Sequence, residues 1–338
     1  MDRIIDVPNL NAENALKFCE KLYSFSPEES EVTVFDFERV RTCDPFAMLI
    51  ASQAIRKKVN SCNTHDFKAR NMNNTYADHM KFFQACQIDR GKNLKEFRGN
   101  NRYNCITEYD ITKLRQESFD EGEEIQELLE RMSRRIARVL SQEIADAESW
   151  LSFAIREMLR NIPEHSKSPN MWICSQYWPY YDLAEVGIMD EGVGISGSLT
   201  NNFHYKKLIE NDSDAILLAL EPGVTSSYMN AEYDYISDEW KNSGYGLYLI
   251  SNMCAMMNAD FIIASGNAAV RVMKNQNDIV EKRLVNTHIE GTAIQIRFRP
   301  SEIQNCEALR KQIISDGEEK AQQNSNRVHS ASKASRGF

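Results

Sequence analysis

Glycine is scarce in this 338-residue sequence. There are only 14, about 4% against a usual value of about 7%. No two of the 8 cysteines stand in CxxC spacing, which argues against a zinc ribbon or a thioredoxin-type site and for reduced thiols. Long apolar runs are absent too. The longest, Phe46 to Ile55, is interrupted by Ser52 and Gln53 and falls far short of the ~18 residues that span a bilayer. The opening Met1-Asp2-Arg3-Ile4-Ile5-Asp6 has no basic segment followed by an apolar one. A cytoplasmic protein without a membrane segment or secretory signal is therefore expected. Positive charge is in deficit: 40 Lys+Arg against 49 Asp+Glu give a net charge of −9. That balance argues against sequence-independent nucleic-acid binding, so no nucleic-acid partner is expected. Against these absences stands a 42% apolar content, enough to build cores, in a chain long enough for about two domains.

The pattern along the chain divides it into four. Residues 1–115 alternate β-rich and helical stretches, an α/β pattern in a small domain. Val32 to Phe37 reads as a strand. Asp44-Pro45 opens a helix through Phe46, Leu49, Ile50 and Ile55, with Asp44 as N-cap. Tyr76 to Ile88 reads as a helix, and Tyr103 to Tyr109 as a strand. Residues 116–147 carry Ile125, Leu128, Leu129, Met132, Ile136, Val139, Leu140 and Ile144 at spacings of three and four, an amphipathic helix. It suits a connector, the first helix of the next domain, or a homodimer seam. Residues 148–315 form the second α/β domain. Its strands are expected at Met171 to Tyr177, Leu183 to Met189, Phe261 to Ala264, Ala269 to Met273 and Ala293 to Phe298. Residues 316–338 are polar and poor in apolar residues, and a disordered tail is expected.

The scarce glycines are spent in one place. Seven of them, at 187, 192, 194, 197, 223, 244 and 246, fall within a 60-residue window. Glycine permits positive φ and close backbone approach to a ligand, so a loop-built site belongs there. Three clusters frame it. Glu157, Asn161 and His165 are spaced by four and would share one helix stripe, except that Pro163 should end or kink the helix near Asn161. The carboxylate suits a general base, and the amide oxygen suits Mg²⁺, which takes few protein ligands. A solvated helix face explains the same residues. Second, a strand runs into Asp190, followed by Gly192 and Gly194. A carboxylate there can accept a hydrogen bond from an exocyclic amino group, but an ordinary turn has the same pattern. GxGxxG is not completed as a Rossmann fingerprint would require. Third, Lys241, Gly244, Gly246 and Leu247 lead directly into an apolar helix whose N-terminal amides suit a phosphate. The alternative is a loop that simply needs glycine.

The order of these clusters, ending in Gly291-Thr292, resembles the GHKL ATPase superfamily over about residues 148–299. The serine-kinase anti-sigma branch is the most similar in look. The resemblance implies a GHKL (Bergerat) sandwich of helices over a mixed sheet that holds ATP and Mg²⁺ under a mobile lid. By it, Glu157 matches the catalytic base and Asn161 the Mg²⁺ ligand. Asp190 matches the residue that bonds the adenine amino group, with Gly192 and Gly194 shaping its pocket. Gly244, Gly246 and Leu247 match the lid hinge and phosphate site, with Lys241 nearby. Thr292 matches a threonine near adenine. The lid would span Ser196 to Ser243, with Thr225, Ser226 and Ser227 as phosphate contacts. The N-terminal region resembles a STAS-type domain, although Pro45 stands where a phosphorylatable serine often follows the Asp. Thr42 is the nearest hydroxyl.

The long helix carries no His-acid phosphoacceptor, and after Thr292 one helix and a tail are expected, with no transducer segment among them. Two functions remain open. One is slow γ-phosphate transfer to water or to a protein, by an ATPase or protein kinase of the GHKL type, in signalling, stress response or defence. The other is a non-catalytic, nucleotide-switched protein whose lid state a partner reads through the N-terminal domain. An adaptor with a dead nucleotide site would leave the glycines unexplained.

Overall fold

The computed structural model describes residues 2–27, 32–61, 66–87, 99–226, 243–275, 279–324 and 326–336. The chain begins with a parallel sheet, β1 (Arg3–Asp6), β2 (Thr33–Asp36) and β3 (Phe67–Arg70), in that spatial order. Parallel neighbours need a crossover, and α1 (Ala12–Tyr23) and α2 (Pro45–Ser61) supply it. The helix expected over Tyr76 to Ile88 is divided into α3 (Thr75–His79) and α4 (Phe82–Cys86), because Lys81 takes a left-handed φ of 64° between them.

The second sheet has five strands: β4 (Tyr103–Asp110), β5 (Asn170–Trp178), β6 (Leu183–Asp190), β7 (Asp260–Lys274) and β8 (Val280–Phe298), in the order β4-β5-β6-β8-β7. Every neighbouring pair in it is antiparallel, and the parallel pairing is confined to the first sheet. The whole is a mixed α/β architecture. Between β4 and β5 run α5 (Ile111–Glu121), α6 (Ile125–Ser141) and α7 (Ala145–Asn161). After β6 come α8 (Gly194–Leu199), α9 (Phe203–Lys206), α10 (Asp212–Ala219) and α11 (Gly246–Met256). The chain closes with α12 (Cys306–Gln322) and α13 (Lys333–Arg336).

Three expectations are corrected. The boundary at residue 115 separates β4 from its partners, since β4 is the edge strand of the large sheet. The two strands expected at Phe261 to Ala264 and Ala269 to Met273 are one strand with a bulge. Gly266, at φ 59°, shifts the register there. The tail expected to be disordered is folded: α12 continues to Gln322, and the amide of Val328 donates to the Gly223 carbonyl at 2.9 Å. Its backbone has fixed partners even though its composition is polar.

Both faces of the inner strands β5 and β6 are buried, which is why they read as near-continuous apolar runs. Along β5, Met171 and Ile173 face one core and Trp172 and Cys174 the other. The first core lies under α6, α7, α10, α11 and α12. The second is closed by the N-terminal block, chiefly α2. The apolar stripe of α6 (Leu128, Leu129, Met132, Ile136, Leu140) belongs to the first core. It is buried within the chain. No helix among the described residues is long and apolar enough to cross a membrane.

The contact of α2 with the sheet is close and charged. A Cβ on Gly187 would lie 2.9 Å from Phe46 Cα, so only glycine lets the helix rest on β6. The Phe46 amide donates to Glu185 Oε1 at 3.0 Å. Asp44 stands at the N-cap position of this helix, as expected, with its carbonyl accepting from the Met48 amide at 2.9 Å, and its carboxylate receives a bond from Arg297 Nη1 at 2.7 Å. Arg297 Nη1 also donates to Glu185 Oε2 at 2.8 Å. Burial, and then the charge of Asp44, push the Glu185 carboxyl up to about 7. Glu185 is thus a raised acid, and its contribution to stability is lost as pH rises from its unfolded value towards 7. Arg297→Met should therefore destabilise the protein most above pH 7, by about 3–5 kcal/mol for a charge left buried without its partner. The loss should shrink near pH 5. Urea midpoints at the two pH values check this, and an equal loss at both would contradict it.

Candidate functional site

The front face of the sheet opens into a cavity between α7, β6, β8, α8 and α11. It encloses about 110 Å³. Asn161, Asp190, Gly194, Gly244, Gly246, Leu247 and Thr292 all line it. Residues separated by 131 positions in sequence thus converge on one space. Gly192 and Glu157 lie beside the cavity and do not line it. Lys241 and Ser227 lie outside the described residues.

Asp190 ends β6 directly opposite Thr292 of β8. It is 4% exposed. Burial is the main cause that raises its carboxyl to about 7, with the charge of Glu191 adding to it. The amide of Gly192 donates to Oδ1 at 2.8 Å and partly offsets the rise. Such a carboxylate is rigidly held and still able to accept a hydrogen bond from a ligand. The walls around it are apolar, among them Met158, Ile162, Ile195 and Leu199.

The turn after Asp190 explains its glycines. Pro163 ends α7 at Asn161, as expected, and the chain continues in one wide π-helical turn, Ile162–Ser166. That turn brings the Ser166 carbonyl to the Val193 amide at 2.8 Å. A Cβ on Gly192 would lie 1.9 Å from the same carbonyl. Gly192 is therefore required by the neighbouring backbone and not by the cavity. Gly194 has φ 69°. Next to it, Ser265 Oγ accepts from the Ile195 amide at 2.9 Å and donates to the Gly291 carbonyl at 2.7 Å. Sequence reasoning passed over Ser265, because a lone serine on a strand carries no spacing signal.

At the other end of the cavity α11 begins at Gly246, with no side-chain cap. Its first amides have no partner within the helix, so the end attracts anions. Glu157 Oε2 would lie 2.8 Å from a Cβ on Gly246. Two cations flank Glu157: Arg156 Nη2 at 3.2 Å and Arg160 Nη1 at 3.7 Å. Neither arginine was read as part of the site. The π-helical turn carries His165 into the cavity wall, 3.1 Å from Ser226 Oγ. Burial holds its imidazole below the ordinary range, so it is neutral at pH 7. The described residues contain no group of three His, Cys, Asp or Glu that could hold a metal ion by themselves.

The N-terminal block reaches the rim of this site from behind. Arg56 of α2 is ion-paired with Glu191, next to Asp190. Lys57 meets Glu290 at 2.8 Å, next to Gly291. The C-terminal tail reaches the other rim. Tyr245 Oη donates to the Val328 carbonyl at 3.2 Å, and the Ser332 amide to Ser243 Oγ at 3.0 Å.

No protein-family model and no curated protein matches this chain. Among solved structures, one match is the crystal structure of the ATPase region of Saccharomyces cerevisiae topoisomerase II. The identity is 14% and the TM-score 0.26. The match covers 45% of this chain and spans 39% of that one. So loose an overlap carries no argument about the site.

The two glycines should respond differently to alanine. In Gly192→Ala the new methyl meets backbone, which cannot swing away, and a loss of about 1–3 kcal/mol is expected. In Gly246→Ala it meets the end of the Glu157 side chain, which can rotate, and folding should be nearly unaffected. Thermal melts of the two variants decide between this order and the reverse.

Proposed function

We propose that the chain binds ATP with Mg²⁺ in the cavity beneath α7 and α11, as a GHKL-type nucleotide site. The observation that carries this reading is the meeting of Asp190, Thr292, Gly194, Asn161 and the uncapped start of α11 around one cavity. Asp190 accepts a hydrogen bond from the adenine amino group between apolar walls. The first amides of α11 receive the phosphates. Asn161 would offer an amide oxygen to Mg²⁺, which takes few protein ligands. This fits a site with no acidic cluster of its own. When bound, Mg²⁺ neutralises phosphate charge and orients the terminal phosphate. Glu157 is the group that takes a proton from the attacking water or hydroxyl.

A second reading is favoured by one observation. Glu157 is paired with Arg156 and Arg160 and lies beside the cavity. A carboxylate so committed suits a protein that binds ATP without turnover and changes state for a partner. The contacts of Arg56 and Lys57 with the two rim turns give the N-terminal block a path for reporting that state to a protein partner.

Asp190→Ala should weaken Mg²⁺-ATP binding about 10- to 100-fold, the range for a hydrogen bond to a charged group. Wild-type affinity should fall as pH drops below about 7, where the raised Asp190 carboxyl takes up a proton and becomes a weaker, uncharged acceptor. Titration calorimetry at pH 6 and pH 8 tests both. An affinity unchanged in Asp190→Ala would sink the adenine assignment. The two readings separate in a single-turnover experiment with γ-labelled ATP. Label released or moved onto protein by the wild type and not by Glu157→Ala establishes chemistry. Intact bound ATP in both establishes the switch.

A further inference from the structure

A second pocket, of about 430 Å³, opens on the outer side of α7, away from the nucleotide cavity. Its wall brings together Arg134 of α6, Ser152, Phe153 and Arg156 of α7, and Arg310 of α12. Two guanidiniums share one aromatic ring: Arg156 lies 5.3 Å and Arg310 5.8 Å from the Phe153 centroid. Burial is the main cause that lowers the Arg310 guanidinium below its ordinary range; the Arg156 charge adds to it, and the Glu307 carboxylate on the same helix opposes it. The remaining charges of the pocket are matched. Arg134 is ion-paired with Glu130 and Glu148 with Arg138. Arg156 is shared with Glu157. Arg310 makes no ion pair among the described residues, and its Nε is buried without a hydrogen-bond partner.

A buried guanidinium N–H with no acceptor is costly. Two like charges held over one ring add to that cost. An oxyanion placed between them offsets both penalties: the Arg310 fork can offer parallel N–H donors to it, while Arg156, whose Nε and Nη2 donate to Glu157 Oε1 at 3.4 and 3.2 Å, adds its charge. The hydroxyls of Ser149 and Ser152 also line the space and are further donors. We infer that this pocket is a binding site for a phosphate group, either inorganic phosphate or a phosphate monoester, held between Arg156 and Arg310. The site has a built-in link to the nucleotide cavity. Arg156 stands 3.2 Å from Glu157, so the anion and Glu157 compete for one guanidinium. By reciprocity, whatever neutralises Glu157 strengthens the anion site. That this link reaches catalysis rests on the reading of Glu157 above; the binding itself does not.

The test uses the full chain and inorganic phosphate as probe, titrated calorimetrically against chloride at equal ionic strength. Saturable binding by the wild type is expected, weakened at least 10-fold in Arg310→Gln and less in Arg310→Lys, which keeps the charge and loses the fork. Matching melts for the three proteins establish that all are folded. Glu157→Gln should bind phosphate several-fold tighter, and this readout needs no ATP turnover. A monoester such as glycerol phosphate forms the second arm. Tighter binding than inorganic phosphate assigns the site to a phosphorylated group, and equal binding assigns it to the free ion. Phosphate binding that survives Arg310→Gln unchanged lies elsewhere, such as at the start of α11, and overturns the proposal. So does a wild type that responds to phosphate no more than to chloride. Unchanged affinity in Glu157→Gln overturns the link alone.

Discussion

The structure depends on covering both faces of one antiparallel sheet. A five-stranded sheet of apolar strands cannot leave either side in water, and the chain solves the two sides differently. Helices α7, α10, α11 and α12 cover the front but leave a gap, which is the candidate site. The back is closed by α2 from the N-terminal block, and closed tightly: Gly187 admits the helix backbone, and Asp44, Arg297 and Glu185 form a charged contact beside it. The N-terminal block is therefore a structural layer of the sheet as well as a parallel sheet of its own. Detaching it would expose Trp172, Met189 and Ile262 at once.

This arrangement bears on the site because β6 and β8 have two ends and two faces. Their front-facing residues build the cavity, and their back-facing residues touch α2. The end of β6 after Asp190 and the irregular stretch of β8 at Glu290-Gly291 are fastened to α2 through Arg56, Lys57 and Gln53, whose Nε2 donates to the Glu290 carbonyl at 2.9 Å. A shift of α2 has to move those segments or break buried charge pairs. The physical route between the N-terminal block and Asp190 is thus short and consists of named contacts.

Much of the site was legible because its chemistry is carried by spacing within short segments. Asn161 four residues after Glu157, Asp190 before two glycines, and two glycines before an apolar helix each survive as local patterns. What failed was non-local. The alternation of Tyr103 to Tyr109 reveals a strand but not its partner, so β4 was assigned to the wrong sheet. The α6 stripe shows an apolar face but not what covers it. The tail has few apolar side chains, yet backbone bonds to Gly223 and burial of Ala331 and Ser335 fix it in place. Composition counts side chains and misses such contacts. Gly192 was legible as necessary, but its reason was not. The carbonyl that excludes a side chain there comes from Ser166, and only the π-helical turn imposed by Pro163 puts it there.

The charge arrangement along α7 ties these observations together. Arg156, Glu157 and Arg160 are consecutive or one turn apart, and all are largely buried. Burying three charges is tolerable only because each has an opposite neighbour: Arg160 also meets Glu164 at 3.1 Å. Arg156 has Glu157 on one side and Arg310 on the other, an attraction and a repulsion acting on the same guanidinium. Two acids, Glu157 and Glu164, therefore serve the two arginines of α7, while on α12 Arg310 makes no ion pair among the described residues and has only the more distant charge of Glu307. The imbalance runs through the helix, from the start of α11 to the pocket behind it. Any group that adds negative charge at Arg310 relieves the repulsion on Arg156 and loosens its hold on Glu157. Helix α7 can then act as the element through which an anion on the outside alters the carboxylate next to the candidate site.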